Sequence, residues 1–157
     1  MKTKTILFVC TGNTCRSPMA EAIARDIVRK EYGEKIAVCS AGTFALPGSP
    51  ATPKAVEALA ETGIDAREHR AKMLDTAYVE SADLVLAMTA DHRQHVLALV
   101  PGAGGKVHIL GDYAGRTGDL DDPLGRPLPV YREYASRLRG LVAAALARYW
   151  REAFAGE

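Results

Sequence analysis

One stretch near the start of the chain decides its predicted fold: Ile6-Leu7-Phe8-Val9-Cys10-Thr11-Gly12-Asn13-Thr14-Cys15-Arg16-Ser17-Pro18. Its first part is a continuous apolar run, which is typical of a buried central strand in a parallel sheet. A short loop of small polar residues follows. Pro18 fits the first turn of a helix, because its missing N–H needs no partner there. The stretch therefore predicts a strand, a loop and a helix in immediate succession.

Strand and helix patterns alternate through the rest of the chain. This alternation predicts an α/β fold in which helices cover both faces of a parallel sheet. Ligands bind such sheets at the carboxyl ends of strands, and residues 10–17 lie at such an end. Strands are predicted at 5–10, 35–39, 82–88 and 106–110, helices at 18–30, 53–62, 74–80, 90–99 and 130–154, and loops at 40–53 and 111–129.

Length and composition limit the classes of protein to consider. The 157 residues predict one domain, 1–157. A net charge of +1 gives no overall attraction to nucleic acid or to an anionic membrane, so any anion must be bound locally. The early apolar run is too short for a signal peptide, and no run approaches membrane-spanning length. We therefore expect a cytoplasmic monomer that binds neither nucleic acid nor membrane.

The cysteines are Cys10, Cys15 and Cys39. An odd, small number without a secretion signal argues against a disulfide framework, and it leaves a metal short of ligands. We predict no metal and no cofactor. His92 and His95, with Asp91, share a helical face, but two histidines on a short polar face are predicted to be solvated.

The loop after Cys10 contains the residue types of a phosphate site. Successive backbone N–H groups that lead into a helix N-terminus attract an anion, and the same field favours a cysteine thiolate. Arg16 supplies a planar fork that suits phosphate oxygens. Ser17 can donate a hydrogen bond to the sulfur. Cysteine, five residues and arginine therefore predict a thiolate nucleophile at the bottom of a phosphate-binding loop.

Rival interpretations of this loop are weaker. A nucleotide-binding loop requires a lysine that the stretch lacks, and Cys10 and Cys15 are too far apart for a C-x-x-C motif.

Gly12 lets the backbone approach a ligand, and Asn13 tolerates positive φ. The predicted phosphate-binding residues are Thr11, Gly12, Asn13, Thr14, Cys15, Arg16 and Ser17.

A thiolate that attacks phosphorus expels a leaving group that needs a proton, so a carboxylic acid is expected nearby. Asp122 is the candidate, because it precedes Pro123 in a loop too long to be a simple connection. Asp119 and Asp121 are the alternatives, with solvated or capping roles. Two adjacent carboxylates also favour keeping one of them protonated.

The residues 9–21 resemble the signature of the low-molecular-weight protein tyrosine phosphatases. Ser40-Ala41-Gly42, Ser81–Thr89 and Asp122-Pro123 fall at that family's spacing. The resemblance implies a four-stranded parallel sheet flanked by helices, and a protein phosphatase with a phosphocysteine intermediate. It implies that Cys10 is the nucleophile, that Arg16 binds phosphate, and that Asp122 protonates the leaving group and then activates water.

Further roles follow from the same resemblance. Ser17 would stabilise the thiolate, and Asn13, Ser40 and His69 match a hydrogen-bond network that holds the loop's shape. Cys15 matches a second loop cysteine that forms a reversible disulfide with Cys10 and protects it from over-oxidation. Phosphorylated proteins or peptides would be substrates, and phosphate, sulfate or vanadate would bind in the loop.

Substrate selectivity is predicted to depend on Thr14 and Leu124. Tyrosine-directed members usually have a larger aliphatic residue at Thr14 and aromatic residues after the Asp-Pro pair. With Ser81–Thr89, Thr14 resembles the bacterial protein-arginine phosphatases, although those carry an aromatic at Leu124. A threonine narrows the pocket and adds a hydroxyl, which suits a guanidinium better than a phenol. Phosphoarginine is therefore the predicted substrate, with phosphotyrosine as the alternative.

Two remote alternatives complete the set of functions. A thioredoxin-coupled arsenate reductase needs two more cysteines in the second half of the chain, and none follows Cys39. A non-catalytic phosphate-binding module would be expected to lack Cys10, Arg16 or the Asp-Pro pair.

Phe44 and Leu46 either wall the mouth of the pocket or form a simple surface cluster.

Overall fold

The computed structural model describes residues 2–116 and 119–155. Its sheet has four parallel strands in the order β2-β1-β3-β4, which confirms the predicted fold class. The strands are β1 Lys4–Cys10, β2 Ile36–Gly42, β3 Leu84–Ala87 and β4 Val107–Ile109. The helices are α1 Arg16–Glu31, α2 Pro53–Ala60, α3 Thr76–Ser81, α4 Ala90–Leu99, α5 Leu110–Tyr113 and α6 Leu128–Ala153, with a 3-10 helix at Pro101–Gly105.

Strand β1 lies inside the sheet and contributes side chains to both layers of the core. Ile6 and Phe8 pack into the cluster that includes α1 and α6, whereas Leu7 and Val9 pack into the cluster with α3 and α4. Successive strand residues point to opposite faces, so an uninterrupted apolar run is what a strand covered on both faces requires. The three-layer arrangement follows directly from this run.

The strand order places the carboxyl end of β1 at a topological switch point. The chain leaves β1 towards β2 on one side, and β3 pairs with β1 on the other. Loops after β1 and β3 therefore diverge and leave a crevice between them, which is where α/β sheets bind ligands. The loop at 10–17 and the start of α4 line this crevice.

Strand β2 is longer than predicted, because Ser40-Ala41-Gly42 continues the strand instead of beginning a loop. Phe8 pairs with Ser40, and Cys10 pairs with Gly42. A Cβ at position 42 would collide with the Thr11 carbonyl oxygen and lie 2.9 Å from the Asn13 nitrogen. Only glycine therefore allows β2 to run alongside the loop.

The helices differ from the prediction at several points. Helix α1 begins at Arg16, two residues before Pro18, and α6 begins at Leu128. The predicted loop 111–129 contains most of the short helix α5, and its residues 117–118 lie outside the described residues. Within the described ranges, no helix has both the length and the apolar character needed to cross a bilayer.

Candidate active site

The loop between β1 and α1 is held by its carbonyl groups. The carbonyl oxygens of Cys10 and Thr11 accept hydrogen bonds of 2.9 Å from the backbone after β2, and that of Thr14 accepts one of 2.8 Å from Thr52. Between Gly12 and Cys15, no backbone N–H donates to another described residue. The backbone therefore uses its acceptors against the protein and keeps its donors for an anion, as an anion-binding nest does.

Asn13 fixes the curl of this loop. Its φ of 55° is the only positive φ of a non-glycine residue in the described part of the chain. The buried side-chain amide donates to Ser17 Oγ at 2.8 Å and to Ser40 Oγ at 2.9 Å. Its oxygen accepts the Lys72 backbone N–H at 2.9 Å. Because that N–H can only donate, the orientation of the amide is determined.

The donors and acceptors of this network determine which group can donate a hydrogen bond to the cysteine sulfur. Ser17 Oγ accepts from Asn13, so its own proton is available for Cys10 Sγ, 2.8 Å away. Ser40 Oγ, which accepts from Asn13, donates its own hydrogen bond to the Glu21 carboxylate at 2.7 Å. A donor directed at the sulfur stabilises its thiolate form. The network thus fixes the position of the Cys10 side chain, which is 2% exposed, and directs a hydrogen-bond donor at its sulfur.

Glu21 and Lys72 close the network and were missed in the sequence analysis. The available signal for Glu21 was its position four residues after Ser17, which places both side chains on one face of α1. Lys72 acts through its backbone N–H, and a backbone contact leaves no signal in residue types.

His69 contacts the phosphate loop at the backbone of Asn13. Its Nε2 lies 2.7 Å from the Asn13 carbonyl oxygen. A carbonyl oxygen only accepts, so His69 Nε2 is the donor. Burial lowers the pKa of His69, which favours the neutral ring with its proton on Nε2. The structure therefore brings together all four residues of the predicted network, Asn13, Ser17, Ser40 and His69.

Arg16 and Asp122 meet above the loop. The buried Arg16 donates from Nη1 to the Leu120 carbonyl oxygen at 3.2 Å. Its Nη2 lies 3.5 Å from both Thr11 Oγ1 and Asp122 Oδ2. The Asp122 side chain is 44% exposed and accepts the Leu124 N–H at 3.1 Å. The chain thus brings the predicted acid to the predicted phosphate ligand across 106 residues.

The segment before Asp122 is anchored on the start of α4. Asp119 Oδ1 accepts the Ala90 N–H at 2.8 Å, so Asp119 has the capping role that the sequence analysis considered for it. Leu120 is buried and donates its N–H to the Met88 carbonyl oxygen at 3.0 Å. These contacts fix the chain two residues before the carboxylate.

The prediction that His92 is solvated is wrong. Its ring is 5% exposed, with Nε2 2.8 Å from Thr11 Oγ1 and Nδ1 3.0 Å from Thr89 Oγ1. Burial and the positive charge of Arg16 lower the pKa of His92 to about 4. Its partner Thr11 lies 81 residues away, so local spacing held no sign of this contact. In the described ranges, no three His, Cys, Asp or Glu side chains are grouped as a metal would require.

Cys15 is a buried thiol at the edge of the loop. Burial raises its pKa to about 12, an effect that a hydrogen bond from Tyr131 partly offsets. Cys15 is therefore protonated at neutral pH, and both it and Cys10 are free thiols.

The rim of the site carries the predicted selectivity residues. Thr14 Oγ1 lies 3.5 Å from the place that a Cβ on Gly12 would occupy, so this hydroxyl packs on the loop itself. Leu124 is 59% exposed beside Asp122. Phe44 lines a cleft of about 390 Å³ beside the loop, whereas Leu46 is exposed outside it. The lining of this cleft is Thr11, Arg16, Thr43, Phe44, Thr89, Asp91, His92 and His95.

The site has the three features that define the class of cysteine-based phosphatases. They are a thiol at the end of a central parallel strand, an arginine at the start of the following helix and a carboxylate beside that arginine. Comparison with known proteins agrees with this class. The family model described as low molecular weight phosphotyrosine protein phosphatase matches residues 5–152, and the chain belongs to this family of hydrolases.

Individual relatives of the chain divide between two substrate names. A protein-arginine-phosphatase of Bacillus subtilis is 46% identical over 138 residues, which cover 87% of this chain and 91% of the relative. A probable low molecular weight protein-tyrosine-phosphatase, EpsP of Ralstonia solanacearum, is 39% identical over 145 residues, or 92% and 95% of the two chains. A solved mutant of YwlE arginine phosphatase with a phosphorylated active site serine has a TM-score of 0.87 and 43% identity, covering 94% of this chain and 96% of that one.

Proposed function

We propose that this protein hydrolyses phosphoarginine in proteins through a covalent phosphocysteine on Cys10. The observation that carries the chemistry is the meeting of three groups at one loop. Cys10 Sγ has a donor at 2.8 Å, and Arg16 lies beside both the loop and Asp122. These groups supply a nucleophile, a ligand for phosphate oxygens and an acid.

In the first half of the reaction, the Cys10 thiolate attacks phosphorus. The bond between phosphorus and the guanidinium nitrogen breaks, and that nitrogen takes a proton from the Asp122 carboxylic acid. The backbone N–H groups of Gly12 to Cys15 and the Arg16 guanidinium hold the phosphoryl oxygens, whose charge is greatest in the transition state. Ser17 keeps its hydrogen bond to the sulfur.

In the second half, a water molecule gives a proton to the Asp122 carboxylate and attacks the phosphorus. The sulfur–phosphorus bond breaks, phosphate is released, and Cys10 leaves as a thiolate that Ser17 stabilises. The phosphorylated active site serine of the YwlE relative supports a covalent intermediate at the nucleophile position.

Three observations support arginine as the substrate residue. Thr14 packs its hydroxyl on Gly12, so the loop carries a small polar side chain at this position. A larger aliphatic side chain here would instead favour substrates with an apolar ring, such as phosphotyrosine. The relative from Bacillus subtilis is named a protein-arginine-phosphatase. Asp122 also presents a half-exposed carboxylate, which suits hydrogen bonding to a guanidinium.

A direct test compares kcat/KM on one peptide that carries either phosphoarginine or phosphotyrosine at the same position. A higher kcat/KM on phosphoarginine is expected. A preference for phosphotyrosine would overturn the substrate assignment and leave the phosphocysteine chemistry intact.

A series at Thr14 separates the size of the side chain from its hydroxyl. Thr14→Ile is expected to shift the kcat/KM ratio towards phosphotyrosine by about tenfold, in the range that one or two methyl groups give in a pocket. Thr14→Val removes the hydroxyl at constant shape, and Thr14→Ser keeps it. An unchanged ratio in all three variants would remove Thr14 as the selectivity residue.

Phosphotyrosine is the second candidate substrate, although Leu124 is not the aromatic residue that tyrosine-directed members usually carry after the Asp-Pro pair. This exposed apolar side chain sits two residues after the acid, where it can cover one face of a phenol ring. The EpsP relative is named a probable protein-tyrosine-phosphatase. The same peptide comparison decides between the two candidates.

We further propose that Cys15 protects the nucleophile during oxidation. A peroxide converts Cys10 to a sulfenic acid, and the Cys15 sulfur then displaces water and forms a disulfide. Because the pKa of Cys15 is raised to about 12, Cys15 itself resists oxidation while Cys10 is the reactive thiol. Peroxide followed by dithiothreitol should restore activity to the native protein and not to Cys15→Ser.

A further inference from the structure

His92 is a buried imidazole that joins two parts of the site. Helix α4 begins two residues before it, and Thr89 already caps this helix by accepting the His92 backbone N–H at 3.2 Å. The ring then spans from Thr89 Oγ1, at 3.0 Å, to Thr11 Oγ1 in the phosphate loop, at 2.8 Å. A helix cap needs only the first of these contacts, so the second one calls for its own explanation.

The ring is neutral, so one nitrogen donates and the other accepts. Burial and the charge of Arg16 lower the pKa of His92 to about 4, while Asp91, Asp119 and Asp122 oppose that shift. If Nδ1 donated, Thr89 Oγ1 would accept twice, and the proton of this half-buried hydroxyl would have no acceptor among the described residues. If Nε2 donates instead, the uncommitted proton belongs to Thr11, which is exposed to solvent or ligand. An unpaired donor costs least where it is exposed, so the second arrangement is favoured.

In that arrangement, Thr11 Oγ1 accepts from His92 Nε2 and faces Arg16 Nη2 at 3.5 Å. Both contacts use the hydroxyl oxygen as an acceptor, so the hydroxyl proton is left for a further partner. Thr11 is exposed and lines the cleft together with Arg16, so this proton can reach a group bound beside the guanidinium. A phosphoryl oxygen held by Arg16 is the acceptor that this position offers.

We propose that His92 is a positioning residue that turns the Thr11 hydroxyl into a hydrogen-bond donor to the phosphoryl group of the substrate. This inference rests on the proposed phosphatase function. It does not depend on whether the substrate residue is arginine or tyrosine, because the contact is made to phosphate oxygens. His92 itself touches neither the substrate nor the reacting atoms.

Two substitutions at His92 separate this role from a merely structural one. Glutamine places its amide nitrogen near the position of Nε2, whereas asparagine reaches only as far as Nδ1 and Thr89. The measurements are the dissociation constant of inorganic phosphate by calorimetry and kcat/KM on p-nitrophenyl phosphate. His92→Asn is expected to weaken phosphate binding about tenfold, the size of one hydrogen bond to a charged group, and His92→Gln to recover most of that loss.

The double-mutant cycle with Thr11→Val supplies the second readout. Thr11→Val should weaken phosphate binding as much as His92→Asn does, and the double variant should lose no more than either single one, because both remove the same donor. Gln94→Ala, at an exposed position of the same helix outside the cleft lining, serves as the matched control and should bind phosphate like the native protein. Thermal melting of each variant excludes loss of the fold as the cause.

Three outcomes would overturn the proposal. They are equal phosphate affinities of His92→Asn and His92→Gln, additive losses in the double variant, and a nitrogen NMR spectrum at pH 7 that places the His92 proton on Nδ1. Phosphate binding requires no turnover, so these outcomes differ from a failure of the proposed function. That failure would appear as native protein that binds phosphate normally and hydrolyses neither phosphopeptide.

Discussion

Two loops meet at Arg16, and they are built in opposite ways. The phosphate loop, residues 10–17, is mostly buried and held by several hydrogen bonds of 2.7–2.9 Å. The acid loop, residues 119–126, is anchored at Asp119 and Leu120, but Asp122 is 44% exposed and reaches Arg16 only at 3.5 Å. One loop is fixed by contacts along its length. The other is held near its two ends, at Asp119 and Leu120 and by a hydrogen bond of 2.9 Å from Lys54 Nζ to the Arg126 carbonyl oxygen, and it leaves Asp122 half-exposed between them.

This difference matches what each loop has to do. A phosphate site stabilises a transition state best when its donors need no reorganisation, so the loop is formed in advance. In the proposed mechanism, the Asp122 carboxylate has two tasks in sequence, giving a proton to the leaving group and taking one from water. Its contact with Arg16 must also yield when a phosphoryl group occupies the guanidinium. A long, half-exposed contact costs little to break.

The largest expected effect comes from the centre of the phosphate loop. Cys10→Ser should lower kcat by roughly 10⁴-fold or more, because it removes the thiolate nucleophile. Vanadate and phosphate should still bind, since Asn13, His69 and Arg16 hold the loop without the sulfur. Turnover of p-nitrophenyl phosphate and calorimetry measure the two properties. Cys39→Ser on β2 is the control, and substantial hydrolysis by Cys10→Ser would contradict the nucleophile assignment.

The acid loop should show a smaller and more selective effect. Asp122→Ala should lower kcat by about 10²–10⁴-fold on a phosphopeptide, whose leaving group needs a proton. The loss on p-nitrophenyl phosphate should be much smaller, because nitrophenolate leaves without one. Asp121→Ala, one residue earlier and without a contact to Arg16, is the matched control. Equal losses on both substrates would argue against an acid role for Asp122.

The rigidity of the phosphate loop can be tested at Asn13. Asn13→Ala removes the amide at the centre of the network and places alanine at a φ of 55°, so it should lower the free energy of unfolding by about 1–3 kcal/mol. Asn13→Gly removes the same amide without the backbone strain and should be about 1 kcal/mol more stable than the alanine variant. Urea denaturation measures both. Native kcat/KM in either variant would show that the loop needs no support from this network.

The anchor of the acid loop should matter less. Asp119→Ala removes the acceptor at the start of α4 and should lower kcat on phosphopeptides several-fold, with a stability loss of about 1 kcal/mol. Phosphate affinity should stay close to that of the native protein, because Leu120, whose carbonyl oxygen Arg16 contacts, is still held by its own N–H on the Met88 carbonyl oxygen. Asp119→Asn keeps an oxygen acceptor and should resemble the native protein. A weaker phosphate affinity in Asp119→Ala would mean that the two loops are coupled.

The smallest effect concerns His92, which touches the phosphate loop from the helix that Asp119 caps. The pKa of His92 is about 4 in the folded chain and near 6.5 when unfolded, so the unfolded chain binds more protons between these values. The free energy of unfolding should therefore fall as the pH falls from 6.5 to 4. The His92→Gln variant should lose less of its free energy of unfolding over that interval. His69 and His108, whose pKa values are also lowered, remain in both proteins and contribute to the loss in each. Parallel slopes in urea titrations at pH 7 and pH 5 would contradict this.

The parts of the molecule that could be predicted are those encoded locally. The apolar run of β1, the spacing from Cys10 to Arg16 and the Asp-Pro pair are each visible within a few residues. They were enough to indicate the parallel sheet and the three groups that the structure brings together. The tolerance of Asn13 for positive φ was also a property of a single residue, and its φ is 55°.

The parts that could not be predicted depend on contacts between distant segments. His92 looked solvated because its neighbours in sequence are polar, but its burial comes from Thr11, which belongs to another loop. The extension of β2 to Gly42 depends on its pairing with Cys10 and on the space beside the Thr11 carbonyl oxygen. Residue types alone carry no record of such distances.

The register that pairs Cys10 with Gly42 also bears on how this scaffold can diversify. The inner side of the loop is closed to change, because β2 admits no side chain at position 42 and the amide of Asn13 is fully engaged. Thr14, Phe44 and Leu124 stand on the outer side and take no part in that packing. A lineage built on this fold can therefore exchange rim residues one at a time and acquire new substrates, while its reactive sulfur stays the same.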